Sequence, residues 1–472
     1  MSVTPASQGI EIGRRALQAQ QVALQVTSHN IANANTDGYS RQRVDLENAA
    51  GVLGGVGSGV DAAGIARQRD SLLDAQVRVE QQVLGRWEAI ERATTGLEAI
   101  FNEPAGAGSS EAGTVFNEPS GMGLSGSLSR FWNAWQDLAN VPESGAARAA
   151  VYQEADFLVT TMHQLSQQLR DSRAGLDEEV VREVEEINEI LDQLAIINGE
   201  LPRASFTGGS SADLEDQRDR LLDDLSSKVD ISVISRENGQ VSVLLSGHNL
   251  VQATTSSHLE VRTLTQNDFP TSTVYFGDDG SPAPVSEGRL VGLMEVRDSV
   301  IPDYQDRLDQ ISAAMVGEVN RLHRAGTGVD GSTGVDFFDN SKTSASNMAL
   351  DAEIVADHNK IAASGDGNTG DNGVALGISQ LRNSRVLAGD STTIDGFYQT
   401  MLGEVGARSK EAQTMAENHR LFATQIQNRR QSIQGVSLND EASQLVLFQR
   451  AYQAAARTVS VIDSLMEVTI NM

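Results

Sequence analysis

The chain has no cysteine in its 472 residues, which removes a disulfide framework and any thiol nucleophile or thiolate ligand. It has no run of about 20 apolar residues, the length a bilayer-spanning helix needs. Its first helix-forming stretch is interrupted by Arg14 and Arg15. Neither a membrane-inserted segment nor a cleavable secretory signal is expected. Positive charge is scarce, with 36 Lys and Arg against 64 Asp and Glu and a net charge of −28. Such a chain is repelled by nucleic-acid phosphates and anionic membrane surfaces. The 7 histidines show no metal spacing such as His-x-x-x-His, and no Gly-x-Ser-x-Gly elbow is present. The residues therefore point to no catalytic group, cofactor or metal.

What is present is periodicity. From Leu438 to Thr469, the residues Leu438, Leu445, Phe448, Tyr452, Ala455, Val459, Ile462 and Met466 recur at spacings of three and four and form one helical seam, with Glu441 and Thr469 as polar exceptions. Asp440 and Glu441 suit the positive end of that helix, and Ser437 or Asn439 can cap it. The other end of the chain matches it. Ile12, Ala16, Ala19, Ala23 and Val26 repeat the spacing, and Leu17, Leu24 and Ile31 widen the stripe. The spacing predicts two terminal amphipathic helices paired as a coiled-coil arm. Ordering both costs more backbone entropy than their stripes recover. The arm is therefore expected to be mobile in the lone chain and to order where neighbouring copies supply contacts. Both arms are nearly neutral, so the negative charge sits in the middle of the chain.

The middle is mainly helical. Helices are predicted from Asp70, with Val79, Val83, Trp87, Ile90, Leu97 and Phe101 on one face, and through Leu128, Phe131, Trp132, Trp135 and Leu138. A long region follows from Val151 to Leu194, with a kink at Gly175 and an end before Pro202, and then a helix from Leu214 to Leu225. Residues 102–127 read as a loop in which Phe101-Asn102-Glu103-Pro104 recurs as Phe116-Asn117-Glu118-Pro119. Near Ile231 the period changes to two through Val233, Val241, Val243 and Leu245, with Asn238-Gly239 as a hairpin turn. Helical spacing returns around Arg289, and a last long helix carries Met401, Val405, Phe422, Ile426 and Ile433. The expected fold is mainly α with an inserted β-rich domain. Residues 1–66 and 431–472 form the arm, 67–227, 286–324 and 376–430 a long-helix bundle, and 228–285 an outer β domain. The Gly, Asp and Asn-rich segment 325–375 is left unplaced.

Two Gly-x-Gly-x-x-Gly runs occur, at Gly121, Gly123, Gly126 and at Gly365, Gly367, Gly370. Neither follows a buried strand as a nucleotide site requires. The loops at Asp330 to Gly334 and Asp366 to Gly373 superficially suggest calcium. The second has Asp371 where an EF-hand needs glycine and Gly377 where it needs its last carboxylate.

The run Asn30-Ile31-Ala32-Asn33-Ala34-Asn35-Thr36-Asp37-Gly38-Tyr39-Ser40-Arg41 resembles the N-terminal signature of the flagellar axial proteins, which comprise rod, hook and hook-associated proteins. Its Tyr-Ser-Arg-Gln ending, with Gly435 to Glu441 and Phe448 to Tyr452, is most similar to the hook-associated branch, although Asn439 stands where that branch usually has Asp. The resemblance implies a structural protein of the hook-filament junction, without enzymatic activity and exported unfolded by the type III pathway. It implies a ring of identical subunits that meets the hook protein and a second junction protein, and an export chaperone on the C-terminal helix. Hook or distal-rod membership, a signalling coiled coil and a wall-cutting glycosidase are the alternatives. The last needs two carboxylates at a defined separation, and no compact domain with catalytic features stands out.

Overall fold

The computed structural model describes residues 5–49, 57–101, 123–206, 211–236, 239–266 and 269–470. The Phe116 repeat, Gly51, Gly54, Gly55, Gly121 and Asn238 lie outside these. Helix α1 (Pro5–Ala32) is followed by a hairpin, β1 (Gln42–Asn48) and β2 (Val60–Arg67), whose register runs from Gln42 opposite Arg67 to Asn48 opposite Val60, with a bulge at Asp45/Leu46. Four helices come next: α2 (Ser71–Phe101), α3 (Leu124–Asn140), α4 (Gly145–Phe206) and α5 (Ala212–Lys228). Strands β3 (Ile231–Ser235), β4 (Val241–Leu245), β5 (His248–Gln252) and β6 (Thr255–Ser256) form a meander. A second hairpin pairs β7 (Leu259–Gln266) with β8 (Phe269–Phe276). The chain closes with α6 (Arg289–Glu295), α7 (Ile301–His323), α8 (Ala352–Ala356), α9 (Gly373–Gln380), α10 (Ile394–Gln434) and α11 (Leu438–Ile470).

Several expectations are corrected. Helix α4 is one 62-residue helix, on the order of 90 Å long at ~1.5 Å per residue. It passes Gly175 without interruption because both flanks bury the same stripe, Leu169 and Leu176 before Val180 and Val184. It also continues through Pro202 to Phe206. Residues Leu124 to Ser127 belong to α3 rather than to the preceding loop. A five-residue π-type turn, Val296–Val300, joins α6 directly to α7, and Pro302 follows that turn at the second residue of α7. Val79 and Phe422 are exposed. The α2 and α10 stripes bury Val77, Ala89, Ala416 and Ala423 instead, because two long helices packed closely admit small side chains along their contact.

The core is continuous. Buried residues of α2, α3, α4 and α7 merge with Val241, Val243, Leu245 and Leu250 of the meander and with Leu259, Val274 and Phe276 of the second hairpin. Two asparagines on α4 dock the strands by acting as a peptide group. Asn198 donates to the Val241 carbonyl (2.8 Å) and accepts from its N–H (3.0 Å), and Asn188 does the same to Leu259 at 2.8 Å each. Each satisfies a backbone pair that would otherwise be buried without partners.

The 325–375 segment packs against α3, α4 and α7. Phe337, Phe338, Met348, Ile354 and Ile361 are fully buried, and Phe337 lies edge-on to Trp135 with ring centres 5.1 Å apart. Asn320 brackets Phe338 as Asn198 brackets Val241, donating to its carbonyl and accepting from its N–H. His323 is 1% exposed. Its Nδ1–H donates to the Val335 carbonyl (2.7 Å) and its Nε2 accepts from the Ala362 N–H (2.9 Å). Accepting from Ala362 requires Nε2 to carry no proton and so the neutral ring, and burial pushes its pKa down to about 4.

Candidate functional site

Helices α1 and α11 lie side by side and antiparallel. Gly9 faces Ile462, Gly13 faces Val459, and Asn30 bonds to Glu441. At Gly13 a Cβ would collide with the Val459 side chain, so glycine sets how closely the two backbones approach. Ala19, Ala23 and Val26 are buried, and Ile12, Ala16, Leu17, Leu24 and Ile31 are half-buried. On α11, Leu445, Phe448, Ala455, Val459, Ile462 and Met466 are half-buried. Two predicted seam residues do not join them. Leu438 is 52% exposed and Tyr452 is 38% exposed. The first inward position belongs to Glu441, which is 1% exposed, because two partners on the N-terminal half claim its carboxylate. The opposite face of α11 presents Leu447, Val461, Leu465 and Val468.

The signature run sits where these helices meet the body. Asn33 Nδ2 bonds back to the His29 carbonyl, and Thr36 bonds to Asn33, closing the end of α1. Gly38 has φ +71°, and a Cβ there would overlap the Arg220 side chain, so two constraints select glycine. Asn35 is exposed. The remaining signature residues turn inward. Asn30 donates to the Gln42 carbonyl (2.8 Å) and to Glu441 (3.0 Å), while its Oδ1 accepts from the Gln42 N–H (3.0 Å) and the Tyr39 hydroxyl (2.8 Å). Arg41 pairs with Glu441 at 2.6 Å, and its N–H donates to the Gln434 carbonyl (2.8 Å). The Ser40 N–H donates to Asp216 on α5 (2.9 Å).

Around this turn lies a charged network. Arg67 pairs with Asp216 and Asp219, Arg69 with Asp74 and Asp219, Arg218 with Asp219, and both Arg78 and Arg430 with Asp223. Burial alone would raise the Asp219 carboxyl, but Arg69, Arg218 and Arg67 overcome that and hold it at about 2. Tyr39 is pushed up, by burial first and then by the nearby Asp213, Asp216 and Glu441. A polar cleft of about 420 Å³, lined in part by Tyr39, Arg69 and Arg430, opens beside the network. The network's arginines and carboxylates are shared among several partners, an arrangement that joins elements rather than exchanging protons. Most of these partners were missed at the level of sequence. The available signal was the spacing Asp216, Asp219, Asp223 on one face of α5 opposite the Arg67 and Arg69 pair.

Elsewhere, the calcium-like loops use their carboxylates locally. Asp330 accepts from Ser332, Asp366 from Asn368, and Asp371 from Gly365 and Gly373, so these are side-chain-stabilised turns. Among the described residues one group has metal-ligand proximity, His248 with Asp278 and Asp279. Asp278 is already paired with His248 (2.8 Å), and Asp279 accepts from the Ser281 N–H. No helix among the described residues is long and apolar enough to cross a membrane.

Comparison with known proteins gives consistent matches. Residues 109–338 match a family model described as the flagellar hook-associated protein FlgK helical domain. Residues 10–39 match one described as flagella basal body rod protein, and residues 428–472 one described as flagellar basal body rod FlgEFG protein C-terminal. These last two segments contain most of α1 and all of α11, the helices that pair within this chain. Flagellar hook-associated protein 1 of Bacillus subtilis (strain 168) is 31% identical over 515 aligned residues, covering 99% of each chain. The Salmonella typhimurium protein of the same name is 25% identical, covering 97% of this chain and 98% of its own. The solved structure of the flagellar hook junction protein FlgK from Burkholderia pseudomallei shares the fold, with a TM-score of 0.64 and 16% identity over 77% of this chain and 100% of that one.

Proposed function

The chain belongs to the flagellar hook-associated protein 1 family, and from that premise we propose that it builds the hook-filament junction through contacts made by its terminal helices. It is a structural protein of the flagellum, and its family assembles with other flagellar components. The observation that carries the reading is the half-covered state of the α1 and α11 pair. The facing stripe is only partly buried, and a second apolar stripe of Leu447, Val461, Leu465 and Val468 points away from it. Helices of this kind are completed by neighbours. The neighbours we propose are further copies in a ring, the hook protein on one side and a second junction protein on the other. Before assembly the same C-terminal stripe suits an export chaperone. A cysteine-free chain suits export in the unfolded state through the type III pathway.

Under this reading, residues 1–66 with 431–472 act as the assembly arm. The helical segments 67–227, 286–324 and 376–430 form the body, with 325–375 packed into it, and 228–285 faces outward. Replacing Ala455 with Pro interrupts α11 at a cost of about 3 kcal/mol. The expected outcome is loss of incorporation and of filament growth, with the melting transition of the body unchanged. Normal filaments on cells carrying the variant would refute the role assigned to the pair. Brief proteolysis of dilute monomer is expected to remove the terminal helices first and leave a core between α2 and α10.

A further inference from the structure

Arg148 stands in the first turn of α4 and is 2% exposed. Its Nε–H donates to the Ile361 carbonyl at 3.1 Å, but its Nη1 is buried without a hydrogen-bond partner. An arginine buried to the same depth offers a contrast. Arg297, 1% exposed, is paired with both Asp177 and Asp298. No such carboxylate meets Arg148 among the described residues. The carboxylate whose field reaches it, Asp330, is turned into its own loop, where it accepts from the Ser332 N–H (2.9 Å) and hydroxyl (2.6 Å).

A buried guanidinium cannot relieve its position by losing a proton. Its place in the first turn adds to the difficulty, because the positive end of the helix dipole opposes a cation there. The arrangement is therefore short of one negative charge. The missing charge has a place to sit. Arg148 forms part of the wall of a cavity of about 60 Å³. The rest of the wall is mixed, with the hydroxyl residues Thr327 and Ser364 and the glycines Gly328 and Gly367 beside the apolar Val329 and Ala363. The volume holds roughly four waters, or one tetrahedral ion in their place. Water would fill the space but would leave the charge uncompensated. The glycine run from Gly365 to Gly370, which lacks the strand a nucleotide site requires, contributes to this wall.

We propose that this cavity binds a small inorganic oxyanion of phosphate or sulfate size, held by the Arg148 guanidinium between α4 and the loops at 327–331 and 364–369. The ion supplies the charge that fixes this loop segment to the bundle. A bound nucleotide or lipid headgroup is too large for the space.

The test uses the full-length chain, titrated with sodium sulfate and separately with sodium phosphate. Ionic strength is held with sodium gluconate, whose anion does not fit the cavity. The expected result is a saturable rise in Tm of roughly 2–4 °C and a one-site calorimetric isotherm. Arg148→Met is expected to lose the saturable component and, without oxyanion, to melt no lower than the natural chain, because it removes an uncompensated charge. Arg148→Lys keeps the charge but not the planar fork, and is expected to bind several-fold more weakly. If Arg148→Met does not fold, the isotherm of the natural chain against Arg148→Lys decides the matter. Identical responses of natural and variant chains, or no saturable isotherm with either anion, would overturn the proposal.

Discussion

Two regions of this molecule are held together by different physics. Around Phe131, Trp135, Phe337 and Phe338 the packing is dry and aromatic, with ring centres 4.9 to 6.3 Å apart, and its one titratable ring, His323, is kept neutral. Where α1 and α11 join the body, side chains meet as guanidinium-carboxylate pairs and the apolar contact is half-covered. A dry core tolerates little loss of volume. A charged joint tolerates repacking but not the loss of one partner. The body thus buries its apolar side chains within one chain, while the joint positions helices whose apolar surface stays half-covered.

The largest expected effect separates the regions at once. Phe337→Ala is expected to destabilise the body by about 4 kcal/mol, as a large aromatic removed from a full core does, measured by urea unfolding. Glu441→Ala strips the buried partner from Asn30 and Arg41 and is expected to cost about 3 kcal/mol. Its signature is local, with faster hydrogen exchange in α1 and α11 while the urea transition of the body stays in place. Equal loss in both regions would show that the joint and the body unfold as one unit.

Acid should sharpen the contrast. The folded His323 pKa of about 4 lies below its unfolded value near 6.5, so the unfolded chain binds the proton first. The stability it contributes, on the order of 3 kcal/mol, is complete above pH 6.5 and is lost as the pH falls toward 4. Asp219 is also depressed, from 3.8 to about 2. Its contribution, about 2 kcal/mol, is intact above pH 4 and lost only between 4 and 2. Thermal melts across pH 7 to 3 are therefore expected to weaken the aromatic region first, and His323→Gln to flatten the upper part of that dependence. The smallest effect concerns Phe422. Although large and apolar, it is exposed on α10, and Phe422→Ser is expected to move the monomer's Tm by less than the equivalent of about 0.5 kcal/mol.

The elements were legible where one physical signal decided them. Heptad spacing gave α1 and α11, and the switch to period two gave the strands from Ile231. Boundaries failed where tertiary contact overrode local preference. Gly175 and Pro202 read as a kink and a stop, yet α4 runs through both, and around Gly175 its stripe stays buried on either side. Leu438 looked like the first seam residue because apolar spacing cannot see that Asn30 and Arg41 reserve the inward position for Glu441. Asn30 itself stood out as the first residue of the signature run. Its bracketing of Gln42, like that of Leu259 by Asn188, Val241 by Asn198 and Phe338 by Asn320, joins residues distant in sequence and leaves no periodic trace. The charged joint was hidden for the same reason, since its arginines and aspartates come from five separated segments.

The chain passes between its terminal helices and its body at one narrow place, where residues 40–42 and 67–71 run beside 434–441 and are stitched by Arg41 to Gln434, Gln68 and Glu441. A twist applied to either extremity is therefore delivered to the body through one collar of opposed charges, not through two independent tethers. Segments added beyond that collar can lengthen or thicken the molecule while the geometry of its terminal helices stays as it was.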